Sequence, residues 1–161
     1  MDNVIISLLV DLEGIIWIGT ELGLDRFDPE SGIFRHFKHV PGDPYSISRG
    51  RVQVLFEDKE GWIWVGTSQG LDRFDKEKKG FKHFAHDENK NPLSQLIDLY
   101  QDRQERLLFL FQGIGLCEYN YETVTIVPFE LDPSIQENLS KLTFNHMCED
   151  YMGRILSLIH I

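Results

Sequence analysis

The sequence is poor in cysteine, in positive charge and in long apolar runs. Its 161 residues include only two cysteines, Cys117 and Cys148, which form neither a CxxC pair nor a zinc-binding spacing. Both lie in apolar, strand-like runs, so we expect them to be buried as small apolar side chains. Lysine and arginine number 16 against 26 acidic residues, and the net charge of −10 argues against general binding to nucleic acid or anionic lipid. No apolar stretch approaches the length of a membrane span.

Recognisable catalytic motifs are missing as well. The sequence has no phosphate-cradling glycine loop, no GxSxG and no HExxH. We therefore predict no catalytic residue, no cofactor-binding residue and no metal ligand in this chain, and the sequence identifies no ligand-binding residue.

What the sequence does contain is an internal repeat. Gly14–Thr20 recurs as Gly61–Thr67, and Gly23–Asp28 recurs as Gly70–Asp75, at a constant offset of 47 residues. Between residues 14–37 and 61–84, 15 of 24 positions are identical. A period of this length is typical of solenoids, propellers and other repeat arrays.

A third copy is degenerate and a fourth has only begun. Asp58 corresponds to Asp102, and Gly70 corresponds to Gly115. Between them we align Trp64 with Phe109, which requires a slip of one residue. The fourth copy opens at Glu149 and Asp150.

Each repeat indicates four short strands separated by turns that are rich in Gly and Asp. In the second repeat we predict strands at residues 52–57, 62–67, 71–74 and 81–86. Four antiparallel strands in about 47 residues are typical of a propeller blade. We predict an all-β fold, a β-propeller fragment of about three and a half four-stranded antiparallel blades. The predicted boundaries are 4–48 for blade 1, 49–95 for blade 2, 96–143 for the degenerate blade 3 and 144–161 for the start of blade 4.

The repeated motif resembles a known family. It comprises an acidic pair (Glu57-Asp58), a turn glycine (Gly61), an Ile-Trp-Val-Gly-Thr strand (63–67) and Gly-Leu-Asp-Arg-Phe-Asp (70–75). The first copy departs from this pattern, with Val10 in place of the first acid. This pattern resembles the two-component regulator propeller repeat. The resemblance implies the extracytoplasmic sensor region of a bacterial signalling receptor, followed by a membrane helix and an output module. That module is commonly a histidine kinase in a phosphorelay, and in other members a diguanylate cyclase.

We therefore expect a non-catalytic, ligand-sensing segment on the periplasmic side of the inner membrane, within a membrane-anchored parent. The expected partners are the remaining blades of the chain, a carbohydrate or other small ligand, and a second copy of the full-length receptor. Two alternatives remain open. One is a soluble propeller for protein–protein interaction, and the other is a fragment of a propeller polysaccharide lyase or glycosidase.

Residues that recur in every repeat favour structural roles, because a catalytic group is needed only once. We expect the recurrent carboxylates to cap the first hairpin turn of each repeat, and they are Asp11, Asp58, Asp102 and Asp150. Asp25-Arg26 and Asp72-Arg73 are predicted to form cross-strand or inter-blade ion pairs.

Most of the tryptophans and histidines also favour structural roles. Trp17 and Trp64 are assigned to the core, whereas Trp62, which has no tryptophan counterpart in the first copy, is the better candidate for another role. The pairs His36/His39 and His83/His86 have a spacing that places their side chains on opposite faces of a strand, so we predict no shared metal. His36 and His83 lie beside paired phenylalanines, which suggests a role in blade packing.

The final hexapeptide breaks the repeat. After Ile155 the pattern calls for a Trp-like residue and then Ile-Gly-Thr, but the sequence reads Leu-Ser-Leu-Ile-His-Ile. This ending resembles the translation of a transposase adapter used in sequencing libraries, so we expect Leu156–Ile161 to be an assembly artefact on a truncated gene. A divergent native strand is the alternative.

Overall fold

All regular structure in the described part of the chain is β-strand. The computed structural model describes residues 4–130, 144–152 and 154–159, and no helix occurs among them. The strands are β1 (Ile5–Val10), β2 (Ile16–Thr20), β3 (Leu24–Asp28), β4 (Ile33–Phe37), β5 (Val52–Glu57), β6 (Ile63–Thr67), β7 (Gly70–Asp75), β8 (Gly80–Phe84), β9 (Leu96–Gln101), β10 (Leu107–Phe111), β11 (Gly115–Asn120), β12 (Thr125–Pro128), β13 (Phe144–Glu149) and β14 (Ile155–Ile159).

The strands pair with their neighbours in chain order. β1–β4 form sheet 1, β5–β8 form sheet 2 and β9–β12 form sheet 3, each with four strands, while β13 and β14 form a two-stranded hairpin. The neighbouring strands pair in antiparallel fashion, as β1 with β2, β5 with β6, β10 with β11 and β13 with β14 show. The prediction of an all-β chain built from antiparallel sheets is confirmed, and the predicted strands of the second repeat are placed within two residues of their observed ends.

The alignment of the third repeat needs a correction. Trp64 pairs with Phe56, two residues before Asp58, and the residue with the same relation to Asp102 is Leu108, which pairs with Tyr100. Phe109 is therefore not the counterpart of Trp64. The extra residue of the third repeat lies in the β10–β11 turn, since Gly70 and Gly115 occupy equivalent places at the start of β7 and β11.

The chain divides into two compact units, residues 1–83 and 84–161. In the first unit, sheets 1 and 2 share one core, because apolar side chains from facing sides of both sheets pack together. Its buried members are Ile15, Trp17, Leu24, Ile47, Val52, Ile63, Val65, Phe74 and Phe81. Trp17 meets Phe74 edge to face with 5.0 Å between ring centroids, and Phe37 meets Phe81 in the same way at 5.3 Å. Full burial of side chains of this size stabilises by about 1.5–3 kcal/mol each.

The opposite face of sheet 1 is apolar and exposed. Leu8, Val10 and Phe34 are 62%, 59% and 51% exposed. The repeat places Phe81 of sheet 2 at the position of Phe34, and Phe81 is only 2% exposed because it belongs to the core shared with sheet 1. The same surface is therefore a packing face in sheet 2 and an exposed face in sheet 1.

The connector between sheets 1 and 2, residues 41–48, is anchored at several points. Ile47 is 1% exposed and belongs to the shared core. The Ser46 hydroxyl oxygen lies within hydrogen-bond distance of the Val40 carbonyl and accepts the Val40 N–H. Phe81 N–H donates to the Tyr45 carbonyl at 2.9 Å, which ties the connector to β8.

The second unit contains sheet 3 and the β13–β14 hairpin. Every residue of β10 is buried, and its Leu108 and Leu110 pack in a cluster with Leu116 and Met147. Cys117 is buried in β11, as predicted, but Cys148 is exposed, so the prediction for Cys148 is wrong. Cys148 alternates along β13 with the buried Met147, and adjacent residues of a strand point to opposite faces.

The backbone of β14 pairs with β13 through Ile159. The expectation that residues 156–161 are an artefact concerns the origin of the sequence, and it stays a prediction. Residues 160 and 161 lie outside the described part of the chain.

Candidate functional site

The recurrent aspartates act as turn caps with a second, side-chain partner. In the second repeat, Asp58 Oδ1 accepts the N–H groups of Glu60 and Trp62 at 3.0 and 2.9 Å. Its Oδ2 accepts the indole Nε1–H of Trp64 at 2.7 Å. Asp58 is 2% exposed, and a buried carboxylate is stable when its acceptor sites are filled in this way. Asp11 repeats the arrangement with Trp17, at 2.8 Å.

The third and fourth repeats keep the aspartate cap of the turn, but a different side chain is the second hydrogen-bond donor to it. Asp102 Oδ1 accepts the N–H groups of Gln104 and Arg106, and its Oδ2 accepts Arg106 Nε–H at 2.7 Å. Asp150 is bound in the same way by Arg154, whose Nε lies 2.6 Å from Oδ2. The donor has therefore moved from a tryptophan six residues after the aspartate to an arginine four residues after it. The predicted capping role is borne out in each of the four repeats.

The glutamate of the acidic pair joins neighbouring repeats. Glu57 Oε2 accepts the N–H of Leu12, in the first turn of sheet 1, at 2.7 Å. Glu149 Oε2 accepts the N–H of Arg103, the equivalent residue of the third repeat, at 3.0 Å. In both cases the donor directly follows the capping aspartate of the preceding repeat. This contact was not predicted from the sequence, although an acidic pair directly before the turn recurs in two repeats, as Glu57-Asp58 and Glu149-Asp150.

A second carboxylate anchors the connector. Asp72, which is fully buried, accepts the backbone N–H and the hydroxyl of Ser48, both at 2.7 Å. Its Oδ1 also lies 2.6 Å from His83 Nδ1 on the adjacent strand. The hydrogen bond to Asp72 raises the pKa of His83, against the opposing effect of its partial burial. Sheet 1 repeats the pair as Asp25 and His36, 2.7 Å apart and more exposed.

Ser48, His83 and Asp72 do not form a hydrolytic triad. In such a triad the serine and the carboxylate contact different nitrogens of the imidazole. Here Ser48 Oγ and Asp72 Oδ1 both contact Nδ1 of His83, at 3.2 and 2.6 Å. The arrangement can hold a strand and a connector together, but it cannot pass a proton from serine through histidine.

The other residues considered from the sequence, Trp62, Arg26 and His39, each have a structural partner. The guanidinium carbon of Arg73 lies 4.1 Å from the centre of the Trp62 ring, a cation–π contact that gives this half-buried tryptophan a structural partner. Arg26 stands over Trp17 at 5.8 Å. His39 Nδ1 contacts the Ile47 carbonyl at 3.0 Å, so His36 and His39 have separate partners.

No metal centre is assembled from these residues. Among the residues that the structure describes, no three His, Cys, Asp or Glu side chains come together as metal ligands would. Within the same residues there is also no helix with the length and apolar character needed to cross a membrane.

The chain is a repeat protein built from blade-like sheets. Its four-stranded antiparallel sheets recur along the chain, sheets 1 and 2 share a core, and each repeat has one capped turn. Residues 46–69 match the family model described as two component regulator propeller. The matched segment runs from the connector through β5 and β6 to the following turn. The chain thus carries a two component regulator propeller repeat, as the sequence motif indicated. No curated protein matches the chain.

Solved structures share the fold. The extracellular domain of BT4673 from B. thetaiotaomicron, described as a hybrid two component system, is 22% identical with a TM-score of 0.78, over 97% of this chain and 22% of that one. The corresponding domain of BT3049 from the same organism is 16% identical with a TM-score of 0.53, over 96% of this chain and 25% of that one. PorZ of Porphyromonas gingivalis, a surface component of the type-IX secretion system, is 14% identical with a TM-score of 0.69, over 96% of this chain and 24% of that one. The chain spans about a quarter or less of the length of each of these structures.

Proposed function

We propose that this chain is a non-catalytic, ligand-sensing segment of a β-propeller in a two-component-type signalling receptor. The observation that carries the proposal is the family match at residues 46–69, which covers the connector and the first two strands of sheet 2. The recurrent aspartates have structural partners in each repeat, which supports a structural role for them within the segment. In the proposed propeller, sheets 1, 2 and 3 are three blades and the β13–β14 hairpin belongs to a fourth. The proposed blade boundaries are those that the sequence repeat predicts.

The exposed face of sheet 1 supports the view that further blades complete a ring. Leu8, Val10 and Phe34 occupy the repeat positions of Leu55, Glu57 and Phe81 of sheet 2, and sheet 1 covers that face. An apolar face of this kind is stable in water when another sheet packs on it. The face of sheet 1 therefore fits a blade of the same repeat.

The proposed location and parent rest on the same family resemblance. Two of the similar structures are described as extracellular domains of two component systems, which supports a position outside the cytoplasm, on the periplasmic side of the inner membrane. The proposed parent is a membrane-anchored sensor histidine kinase, or else a diguanylate cyclase, that acts as a homodimer. A carbohydrate or other small ligand on the propeller would change the geometry of the dimer and thus the activity of the output module.

The full-length reading frame tests this proposal. We expect a membrane-spanning helix followed by a kinase or cyclase module downstream of the blades. An open reading frame that stops shortly after the last blade, or that continues into lyase or glycosidase catalytic residues, would contradict it. A fusion to other binding modules would favour the soluble interaction propeller instead.

A further inference from the structure

A groove opens at the outer edge of the first unit, between β4, the connector and the β7–β8 turn. Its volume is about 790 Å³, within the range of small-ligand sites. Its apolar floor includes Phe37, Ile47 and Phe81 of the shared core. Both walls belong to the same compact unit, so the groove is part of one packed body.

The rim of the groove is cationic in an otherwise acidic chain. Lys38, Lys78 and Lys79 all line it. Lys78 Nζ lies 3.8 Å from Asp75, whereas within the described residues no ion pair engages Lys38 or Lys79.

An aromatic ring stands beside these lysines. Tyr45 is 54% exposed, and Lys78 Nζ lies 5.7 Å from the centre of its ring. The connector holds Tyr45 in place, because its carbonyl accepts the N–H of Phe81 and its Cβ approaches Gly80, where an added Cβ would lie 2.9 Å away. Asp43 also lines the groove, but its carboxylate is occupied in part by the Tyr45 N–H at 2.9 Å.

We propose that this groove binds a small anion that carries a ring, with the anionic group between Lys38 and Lys79 and the ring against Tyr45. Unpaired lysines attract a carboxylate, sulfate or phosphate group, and an exposed aromatic ring offers a flat apolar surface to a cyclic ligand. As a ligand site of the sensing segment this inference rests on the proposed function, but binding itself can be measured on this chain alone.

Lys79 offers a clean variant. Its φ of 53° lies in the left-handed region, and the equivalent residue of sheet 1 is Gly32, with φ of 70°. Lys79→Gly therefore removes the charge while giving the turn the residue that this backbone conformation prefers. Lys76→Gln is the matched control, because Lys76 is engaged with Glu13 at 2.7 Å and does not line the groove.

The experiment titrates the full ¹⁵N-labelled chain with phenyl sulfate and follows amide chemical shifts. We expect shifts at Tyr45, Lys79 and Gly80 and none at Gly113 in the second unit. Lys38→Gln and Lys79→Gly should each weaken binding about threefold, as for exposed charge pairs, and roughly tenfold together, while Lys76→Gln should leave it unchanged. Inorganic sulfate and benzyl alcohol test the anionic group and the ring separately, and each should bind more weakly than phenyl sulfate.

Three results would overturn the inference. These are an absence of groove shifts with phenyl sulfate, an affinity for phenyl sulfate that is unchanged in the double variant, and binding of benzyl alcohol or inorganic sulfate as tight as that of phenyl sulfate. Any of these leaves the reading-frame test of the proposed function unaffected, so failure of the ligand site and failure of the sensor role can be told apart.

Discussion

The buried carboxylate of Asp58 should be one of the most sensitive positions of the first unit. Asp58→Ala removes the acceptor of three donors, the Glu60 and Trp62 N–H groups and the Trp64 indole N–H. Trp64 is 0% exposed, so its indole N–H is left without water, at a cost of about 1–3 kcal/mol. The two turn N–H groups lie nearer to solvent and add roughly 0.5–1 kcal/mol each. We expect the free energy of unfolding to fall by about 3 kcal/mol in total.

The assay is urea unfolding followed by tryptophan fluorescence. All three tryptophans, Trp17, Trp62 and Trp64, belong to the first unit, so the signal reports the unfolding of that unit. The control is Asp28→Ala, which removes an exposed cap of the β3–β4 turn and should destabilise far less.

A double-mutant cycle separates the indole bond from the turn cap. In a Trp64→Phe background the buried donor is gone, so Asp58→Ala should cost about 1–2 kcal/mol less than in the natural chain. If Asp58→Ala costs no more than Asp28→Ala, or if the cycle shows no coupling, the reasoning about this carboxylate is refuted.

The other predictions concern the thiols, the inter-repeat glutamate and the histidine of the connector anchor. Burial, with a smaller effect of the Asp87 charge, raises the pKa of Cys117 to about 12, so a maleimide should label only the exposed Cys148 in the native chain and both thiols in denaturant. Glu57→Ala should lower the free energy of unfolding by about 1 kcal/mol, and Glu57→Gln by less, because the amide oxygen can still accept the N–H of sheet 1. The pKa of His83 is raised above its ordinary 6.5, so its contribution to stability is complete below that pH and is lost as the pH rises through the raised pKa, which urea unfolding between mildly acidic and alkaline pH would show.

A specific result would contradict each of these three predictions. Fast labelling of two thiols in the native chain would show that Cys117 is accessible. Equal effects of Glu57→Ala and Glu57→Gln would show that the accepted hydrogen bond contributes nothing. A His83→Gln variant with the same loss of stability at alkaline pH as the natural chain would remove His83 as the cause.

The sequence pattern predicted the sheets well because each repeat carries its own turn signals. Glycine and aspartate mark the turns, and the fixed offset of 47 residues transfers one assignment to the next repeat. The role of Asp58 followed from the same logic, since a residue present in every repeat serves a local purpose.

Contacts between repeats and departures from the repeat were harder to predict. The alignment of Trp64 with Phe109 was wrong, because similarity of aromatic residues was preferred to strand register, and register selects Leu108. Only the spacing of the histidines along one strand was considered, so their aspartate partners on the neighbouring strand were not predicted. A signal was available, since aspartate precedes histidine by 11 residues in both Asp25/His36 and Asp72/His83.

In the proposed propeller, these sheets are blades whose faces are covered by further blades. The most direct test is the exposure of Phe34 in an experimental structure of the longer reading frame that contains this segment. We expect Phe34, now 51% exposed, to become as buried as its repeat counterpart Phe81, under a four-stranded sheet of the same kind. A structure in which the face formed by Leu8, Val10 and Phe34 stays open to solvent would contradict it.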